Sequence, residues 1–479
     1  MYMSPTPTSL SRFARLAGLL FLLVVAAGCS SKKYAEKTDE VVQPPEDEGV
    51  DLEGLGTESW CSDFGQSGLD RMVQRTWSKN MRLKAAWARL RQAEAVADIA
   101  GSELFPSVEA SAGGNYSSRQ FEGSSGAGRA GESFWDLSAA ASYEIDVWGR
   151  HRNRKKAADI EAEAVESDAR ALAITLTSQV AEAWFDVVAQ RERVALLEEQ
   201  LDISRDLLEI TRQRLRRGLV GPLDVAQQER NVESIRGDVS TARGLLATAQ
   251  NRLAVLVGQP PAAQDFVGAE TLPDVEPIAG AGVPANLLER RPDVLGAYLN
   301  LQAADKRTAA AVADRLPRLE VSASIGFQAT QLANLFKQLF LSVGAGITQT
   351  LFEGGRLNAE IERNEAVAQE HLYQYAQTLL VAIREVQDAL ALERNQQDRI
   401  ESLRRERGKA QQVVDIARKR YQTGAVDYLR VLTGLQELQQ VERNLLEARR
   451  QQISHRIALC RALGGSWVDS VEPSITSDD

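Results

Sequence analysis

Phe134-Trp135-Asp136-Leu137-Ser138-Ala139-Ala140-Ala141-Ser142-Tyr143-Glu144-Ile145-Asp146-Val147-Trp148-Gly149-Arg150 is the stretch in which one backbone period gives way to another. Up to Val147, the residues Trp135, Leu137, Ala139, Ala141, Tyr143, Ile145 and Val147 alternate with Asp136, Ser138, Ala140, Ser142, Glu144 and Asp146. A period of two gives a strand one apolar face and one polar or small face. Beyond Gly149 the alternation stops, and no Gly or Pro occurs between Arg150 and Arg217. A helix of that length is on the order of 100 Å long at 1.5 Å per residue, several times the diameter of an ordinary domain.

The design is written twice, at an offset of 206 residues. Gly149-Arg150 returns as Gly355-Arg356, Arg214 and Gly218 as Arg420 and Gly424, and Val257-Gly258 as Leu463-Gly464. Strand-like alternation recurs over 319–330 (Leu319, Val321, Ala323, Ile325, Phe327, Ala329) and 339–347, and more weakly over 107–116. Before the first strand, a helical pattern starts near Leu69 and stops ahead of Phe105-Pro106. Inside the first long run, steps of four and three from Leu176 reach Val180, Ala183, Val187, Gln190, Val194, Leu197, Leu201, Ser204, Leu208, Thr211 and Leu215. Most of these are apolar, so the run carries a heptad seam that favours left-handed supercoiling. Adding 206 gives a patchier seam from Ala382 to Tyr421, interrupted by Glu393, Gln396 and Arg407. Each run ends in a Gly-centred turn, Arg217-Gly218 or Thr423-Gly424, and a second helix returns.

The ends and the composition narrow the class. Residues 1–28 hold two charges, Arg12 and Arg15, and then an apolar run too short to span a bilayer. The run ends Ala26-Ala27-Gly28-Cys29, which resembles a bacterial lipobox and implies acyl chains and diacylglycerol on Cys29. Ser30, in place of Asp, implies sorting to the outer membrane. Residues 30–58 are polar and read as an extended tether. The net charge of −10 becomes −12 once the two signal arginines are removed, which argues against a nucleic-acid partner. His151, His371 and His455 are scattered, no Cys/His cluster has metal spacing, and no phosphate loop or nucleophile motif occurs. The expectation is a non-enzyme without a cofactor or metal. Cys61 and Cys460 would share an oxidising compartment, so a disulfide between them and two separate thiols are both open.

The strands admit two readings. They could be hairpins covering a soluble core, or transmembrane strands with apolar residues toward lipid and Ser, Gly and Thr toward a wet lumen. Trp135 or Trp148 would suit an interfacial girdle. Four strands cannot close a barrel, and open edges are not tolerated in lipid. A membrane reading therefore requires further copies of the chain.

Three segments carry a family resemblance. Ala141-Ser142-Tyr143-Glu144-Ile145-Asp146-Val147-Trp148-Gly149-Arg150 looks like the second strand and first long-helix start of the TolC-like outer-membrane efflux lipoproteins, the OprM/NodT branch. Val283-Pro284-Ala285-Asn286-Leu287-Leu288-Glu289-Arg290-Arg291-Pro292-Asp293-Val294 resembles that branch's Leu-Leu-Glu-Arg-Arg-Pro-Asp hallmark, and Leu463-Gly464-Gly465-Ser466-Trp467 its Leu-Gly-Gly-Gly-Trp ending. The resemblance spans 60–467. It implies an α+β membrane protein: a homotrimer forming a twelve-stranded transmembrane β-barrel continuous with a twelve-helix periplasmic α-barrel. Such a protein is a passive exit duct in outer-membrane lipid, joined by a periplasmic adaptor to an inner-membrane RND transporter.

The expected organisation is a signal peptide (1–28), an anchored tether and equatorial segment (29–66), a first repeat (67–260), a linker (261–283), a second repeat (284–467) and a tail (468–479). By resemblance, the turns Arg214, Gly218, Leu219, Val220 and Arg420, Gly424, Ala425, Val426 dock the adaptor, although glycine in such a turn also has a purely conformational reason. Asp427 matches an acidic position that constricts the entrance in some relatives, where three carboxylates around an axis could hold a cation; the equivalent residue in the first repeat is Gly221. A solvated acid beside a turn is the alternative for Asp427. Two other functions remain open: a TolC-like duct for type I protein secretion, and a structural periplasmic coiled-coil lipoprotein.

Overall fold

The computed structural model describes residues 33–41, 64–123, 126–261, 271–275 and 291–464, with the backbone alone for 39–40 and 120–130. Cys29, Cys61 and the motif residues 283–290 and 465–467 lie outside the described residues. The helices are α1 (Ser67–Lys79), α2 (Met81–Ser102), α3 (Arg150–Arg216), α4 (Pro222–Leu256), α5 (Pro292–Ala313), α6 (Arg356–Gln422) and α7 (Tyr428–Leu463). The strands are β1 (Ser107–Gly123), β2 (Gly126–Ile145), β3 (Arg318–Ala329) and β4 (Leu339–Thr348). Among the described residues no helix is long and apolar enough to cross a membrane.

The repeat is exact in the backbone of the long helices. α3 and α6 each run 67 residues, and their bounds differ by the sequence offset. At three repeated glycine pairs the backbone is left-handed in both copies: Gly149 and Gly355 (φ 77° and 85°), Gly218 and Gly424 (71° and 74°), Gly258 and Gly464 (73° and 72°). A side chain would strain each of these turns.

The described residues form two compact units. The first includes the sheet, ordered β1-β2-β3-β4 and antiparallel throughout. Its register extends the apolar face across strands: Leu137, Phe327 and Leu339 lie in one row, as do Ala139, Ile325 and Leu341, then Ala141, Ala323 and Val343. This face is uncovered, with Leu341, Val343 and Ile347 at 71%, 73% and 70% exposure. The opposite face carries hydroxyl pairs, Ser107 with Ser142 (2.7 Å) and Ser111 with Ser138 (2.9 Å). β1 is longer than its alternation predicts. Its ladder with β2 continues to Gly123 opposite Gly126, through polar residues that carry no two-face pattern, while β3 ends opposite Trp135. Gly114 leaves room for the Trp135 ring, which a Cβ there would overlap. Trp148 is turned inward, its indole N–H donating to Pro317 O at 2.7 Å.

Residues 34–41 depart from the predicted extended tether. They form a short 3-10 turn and α-turn, because the Asp305 carboxylate accepts from the amides of Tyr34 (3.0 Å) and Ala35 (2.8 Å). A carboxylate at a helix start satisfies donors that have no partner within the helix.

In the second unit the predicted seam of α3 is the buried face: Leu176, Val180, Ala183, Val187, Leu197, Leu201, Ser204, Leu208 and Thr211 are all buried. Leu197, Leu201 and Leu208 pack on Val225, Val232, Ile235, Val239 and Ala242 of α4. The α6 seam is buried at Ala382, Val386, Ala389, Glu393, Gln396, Ile400, Leu403 and Val414, but Arg407 is exposed. Its buried polar members meet α7, Gln396 donating to Ala448 O at 2.7 Å and Arg456 pairing with Glu393 Oε1, while Glu393 Oε2 is left without a hydrogen bond.

The helix predicted near 69–100 is interrupted at Asn80, whose backbone is extended. Its side-chain oxygen accepts from Arg82 N (2.9 Å) and Leu83 N (3.2 Å), capping α2, and its amide donates to Leu256 O (2.7 Å) at the end of α4. One buried amide thus closes three orphaned backbone groups at two helix ends. Asn80→Ala is expected to lower the stability of this unit by about 2 kcal/mol, read as a lower midpoint in denaturant titration.

Candidate functional site: the two hairpin turns

Arg214 opens the first turn and Arg420 the second, and both close by the same hydrogen bonds. Leu219 N donates to Arg214 O (3.0 Å) and Gly218 N to Leu215 O (2.9 Å); Ala425 N donates to Arg420 O (2.9 Å) and Gly424 N to Tyr421 O (3.1 Å). The six-to-one bond over a left-handed glycine is the Schellman ending of a helix. Nothing lies within 4 Å of a Cβ built on Gly218 or Gly424, so backbone angle, and not space, requires glycine there.

The next helix starts differently in the two copies. Asp427 is the N-cap of α7, its carboxylate accepting from Arg430 N at 3.2 Å. In the first copy the N-cap is Gly221, Pro222 follows, and the Asp224 carboxylate reaches back to Gly221 N at 3.0 Å. The acid has moved by one helical turn, and each version satisfies an N-terminal donor. Asp427 is exposed, so a capping role and a free oxygen toward solvent coexist.

The predicted tip residues divide into two groups. Arg214, Val220 and Val426 are partly buried: the Arg214 guanidinium lies 4.2 Å from the Tyr421 ring centroid, and Val220 and Val426 pack against Tyr421, Tyr428, Val431 and Leu432. Gly218, Leu219, Arg420, Gly424 and Ala425 are exposed, Leu219 to 60%. Outward-facing tips of this composition offer small, apolar and cationic contacts to another protein.

The residues that lock the two turns together carry no motif. Tyr428, 2% exposed, donates its hydroxyl to Gln228 Oε1 (2.6 Å); Gln228 donates to Ser204 O (2.6 Å), and Gln436 to Asn231 Oδ1 (2.8 Å). The Tyr421 and Tyr428 rings meet at a tilt of 60° with centroids 5.8 Å apart. Their only sequence signal is a polar residue at a seam or near-seam position, which also describes many surface residues. A second cluster sits where β2 meets α3: Arg150 pairs with Glu144 and Asp314 (3.2 Å), and buried His151 pairs with Glu103 (2.7 Å). It borders a cavity of about 740 Å³ that includes Ser107, Ser142, Ser322 and Glu320. Among the described residues no group of His, Cys, Asp or Glu could hold a metal ion. Cys460 is buried.

Burial pushes the Tyr428 phenol well above its ordinary range, against a hydrogen bond from Thr211 that lowers it. A raised acid pKa means that the native state prefers the neutral phenol. Its contribution is complete below the unfolded value near 10 and is lost as pH rises beyond it. Thermal stability of the tip is therefore expected to fall above about pH 10, and Tyr428→Phe to flatten that decline while lowering stability at neutral pH by roughly 1–3 kcal/mol. Melting curves across alkaline pH check both effects.

Known proteins match most of the chain. A family model described as outer membrane efflux protein matches residues 72–259 and 283–465. The pyoverdine export outer membrane protein OpmQ of Pseudomonas aeruginosa is 32% identical over 416 residues, covering 85% of this chain and 87% of OpmQ. The cation efflux system protein CusC of Escherichia coli O6:H1 is 28% identical over 413 residues, covering 85% and 88%. The solved structure of the outer-membrane channel OprN superposes with a TM-score of 0.82 at 26% identity, covering 89% of this chain and 98% of OprN.

Proposed function

We infer the activity from one premise: this chain belongs to the outer membrane efflux protein family, and it is an efflux channel of the outer membrane. The observation that carries the finer reading is a sheet with an uncovered apolar face, a hydroxyl-lined opposite face and two unpaired edges. In lipid such edges must be paired. Because all neighbours are antiparallel, β4 of one copy can pair with β1 of the next in the same sense. The family resemblance sets the number of copies at three. The assembly is then a homotrimer with a twelve-stranded barrel continuous with a twelve-helix tube.

Cys29, carrying diacylglycerol and acyl chains, anchors each chain to the outer membrane alongside the barrel. The exposed Leu219, Arg420 and Ala425, beside Gly218 and Gly424, meet a periplasmic adaptor, while Arg214, Val220 and Val426 support the turns from behind. The adaptor couples the duct to an inner-membrane RND pump. Asp427 contributes its uncapped oxygen to a carboxylate ring at the entrance. Cargo is set by the pump: among relatives, one name refers to pyoverdine and another to cations, and this chain carries no motif for either.

Purified full-length protein is expected to run at the native mass of three chains and to conduct in planar bilayers. A single-chain mass without conductance would sink the channel reading. On the lipid-facing side, Leu341→Lys should destabilise the barrel by roughly 2–4 kcal/mol, while Ser342→Lys on the opposite face should be tolerated, judged by heat-modifiable gel mobility. Asp427→Asn keeps the capping oxygen and removes the charge. It should leave the melting temperature unchanged and relieve block by divalent cations in single-channel recordings; unchanged block removes Asp427 from the entrance ring.

A further inference from the structure

Residues 33–41 are the described part of the chain nearest in sequence to Cys29, and a single side chain fastens them. The Asp305 carboxylate accepts from Tyr34 N through Oδ1 at 3.0 Å and from Ala35 N through Oδ2 at 2.8 Å. Among the described residues no other hydrogen bond or ion pair joins 33–41 to the rest of the chain. Lys33 pairs with Glu36, and the Lys37 ammonium lies over the Tyr34 ring, both within the segment. Apolar packing does not replace these bonds, since no residue of the turn 34–37 is buried. Asp305 in turn makes no ion pair among the described residues. A carboxylate in the interior of α5 thus spends both oxygens on the backbone of a segment 270 residues earlier.

The position of this contact along α5 is informative. Residues 33–41, α5 from Ala297 onward and the whole sheet belong to one compact unit. Asp305 stands about 12 Å before Ala313, the end of α5, at 1.5 Å per residue. One more turn, closed by Leu316 N on Ala313 O at 3.0 Å, leads to β3. There Leu319 lies in register with Ile145 and Ile347, the row of the apolar face closest to the helix. Cys29 precedes Tyr34 by five residues, so it reaches at most about 18 Å from the contact. The reach of this tether matches the distance from Asp305 to the foot of the sheet. Released from Asp305, the tether runs at least to Val41, twelve residues from Cys29, and its reach grows beyond about 40 Å.

We propose that Asp305 clamps the lipid-anchored N-terminus. By holding Tyr34 and Ala35 it keeps the acylated Cys29 within one short reach of the Ile145, Leu319 and Ile347 row, so the acyl chains enter lipid at the foot of their own chain's strands. The inference rests on the reading of Cys29 as an acylated outer-membrane anchor, and it adds the residue that sets where the anchor acts. Asp305 is a positioning residue. An anchor on a short tether raises the local concentration of the strands at the lipid surface, and that gain falls roughly as the −3/2 power of tether length. Lengthening the tether from five residues to twelve lowers it about fourfold. The clamp therefore speeds insertion of the strands, while the inserted channel conducts equally well without it.

The test follows newly made full-length lipoprotein in cells, reading the rate at which heat-modifiable trimer appears in the outer membrane after a radioactive pulse. Asp305→Ala should slow that rate about fourfold and leave the conductance of the inserted channel unchanged; alanine is the best helix former, so α5 is kept. Inserting about seven Gly and Ser residues after Lys32, with Asp305 intact, gives the clamped tether the released length and should slow the rate equally. Slowing by Asp305→Ala but not by the longer tether makes Asp305 a support of α5 alone and overturns the proposal. An unchanged rate in Asp305→Ala overturns it as well. On purified protein a lysine-specific protease should cut at Lys37 several-fold faster in Asp305→Ala, and equal cutting removes the clamp itself. Failure of the underlying reading looks different: wild-type protein that takes up no labelled palmitate has no acyl anchor, whatever the insertion rates.

Discussion

Unpaired backbone at the two edges of the sheet is the constraint on which the rest depends. β1 and β4 each present a row of amide and carbonyl groups with no strand partner among the described residues, and the face between them is apolar and uncovered. Water would accept the edges but not the face; lipid would accept the face but not the edges. Only closure with further strands satisfies both. Gly149 and Gly355, both in the left-handed region, stand immediately before α3 and α6, in the short segments that join β2 and β4 to those helices. In the proposed assembly, every strand pair added by another copy brings a helix hairpin with it.

In the proposed assembly duplication lets few chains build a ring, but an exact duplicate would leave every interface alike. The two copies differ at positions that have different neighbours. Arg443 and Arg450 face α3 in the same chain, while their counterparts Gly237 and Gly244 face open space. Gly221 and Asp427 differ for another reason. Both helix starts need an acceptor, and the carboxylate sits at the cap in one and a turn later in the other. Local capping chemistry is conserved while the position of the negative charge is not, so the charge is free to take on a second role in one copy alone.

Much of this was legible in the sequence. The two-residue alternation, the absence of Gly and Pro from 150 to 217, and the heptad steps from Leu176 each report a single periodic face, and the structure buries or exposes that face as a whole. The misses share a physical type. Asn80 breaks a helix because its side chain bonds residues far along the chain, at Leu256. The helical turn at 34–41 exists because of Asp305. β1 extends past its alternation because β2 supplies a ladder. In each case the deciding partner is remote, and neither period nor propensity records it. The tips were placed correctly as turns, but the division into outward Leu219 and inward Arg214 depends on the Tyr421 ring, which belongs to the other hairpin.

The lock at the tips and the seams behind it differ in kind. Along α3 the seam is largely aliphatic, and near the turn it passes into Ser204, Thr211 and the amide network of Gln228 and Asn231. Aliphatic packing is non-directional, whereas a buried hydrogen bond is lost when its partner shifts by an ångström or two. A hairpin held this way is packed by aliphatic side chains along its length and fastened near its end by a few directional hydrogen bonds. Opening would exchange a few specific hydrogen bonds, not a continuous apolar surface. Each such hydrogen bond is worth about 1 kcal/mol net, the scale against which the proposed docking at the exposed Leu219 and Arg420 is to be weighed.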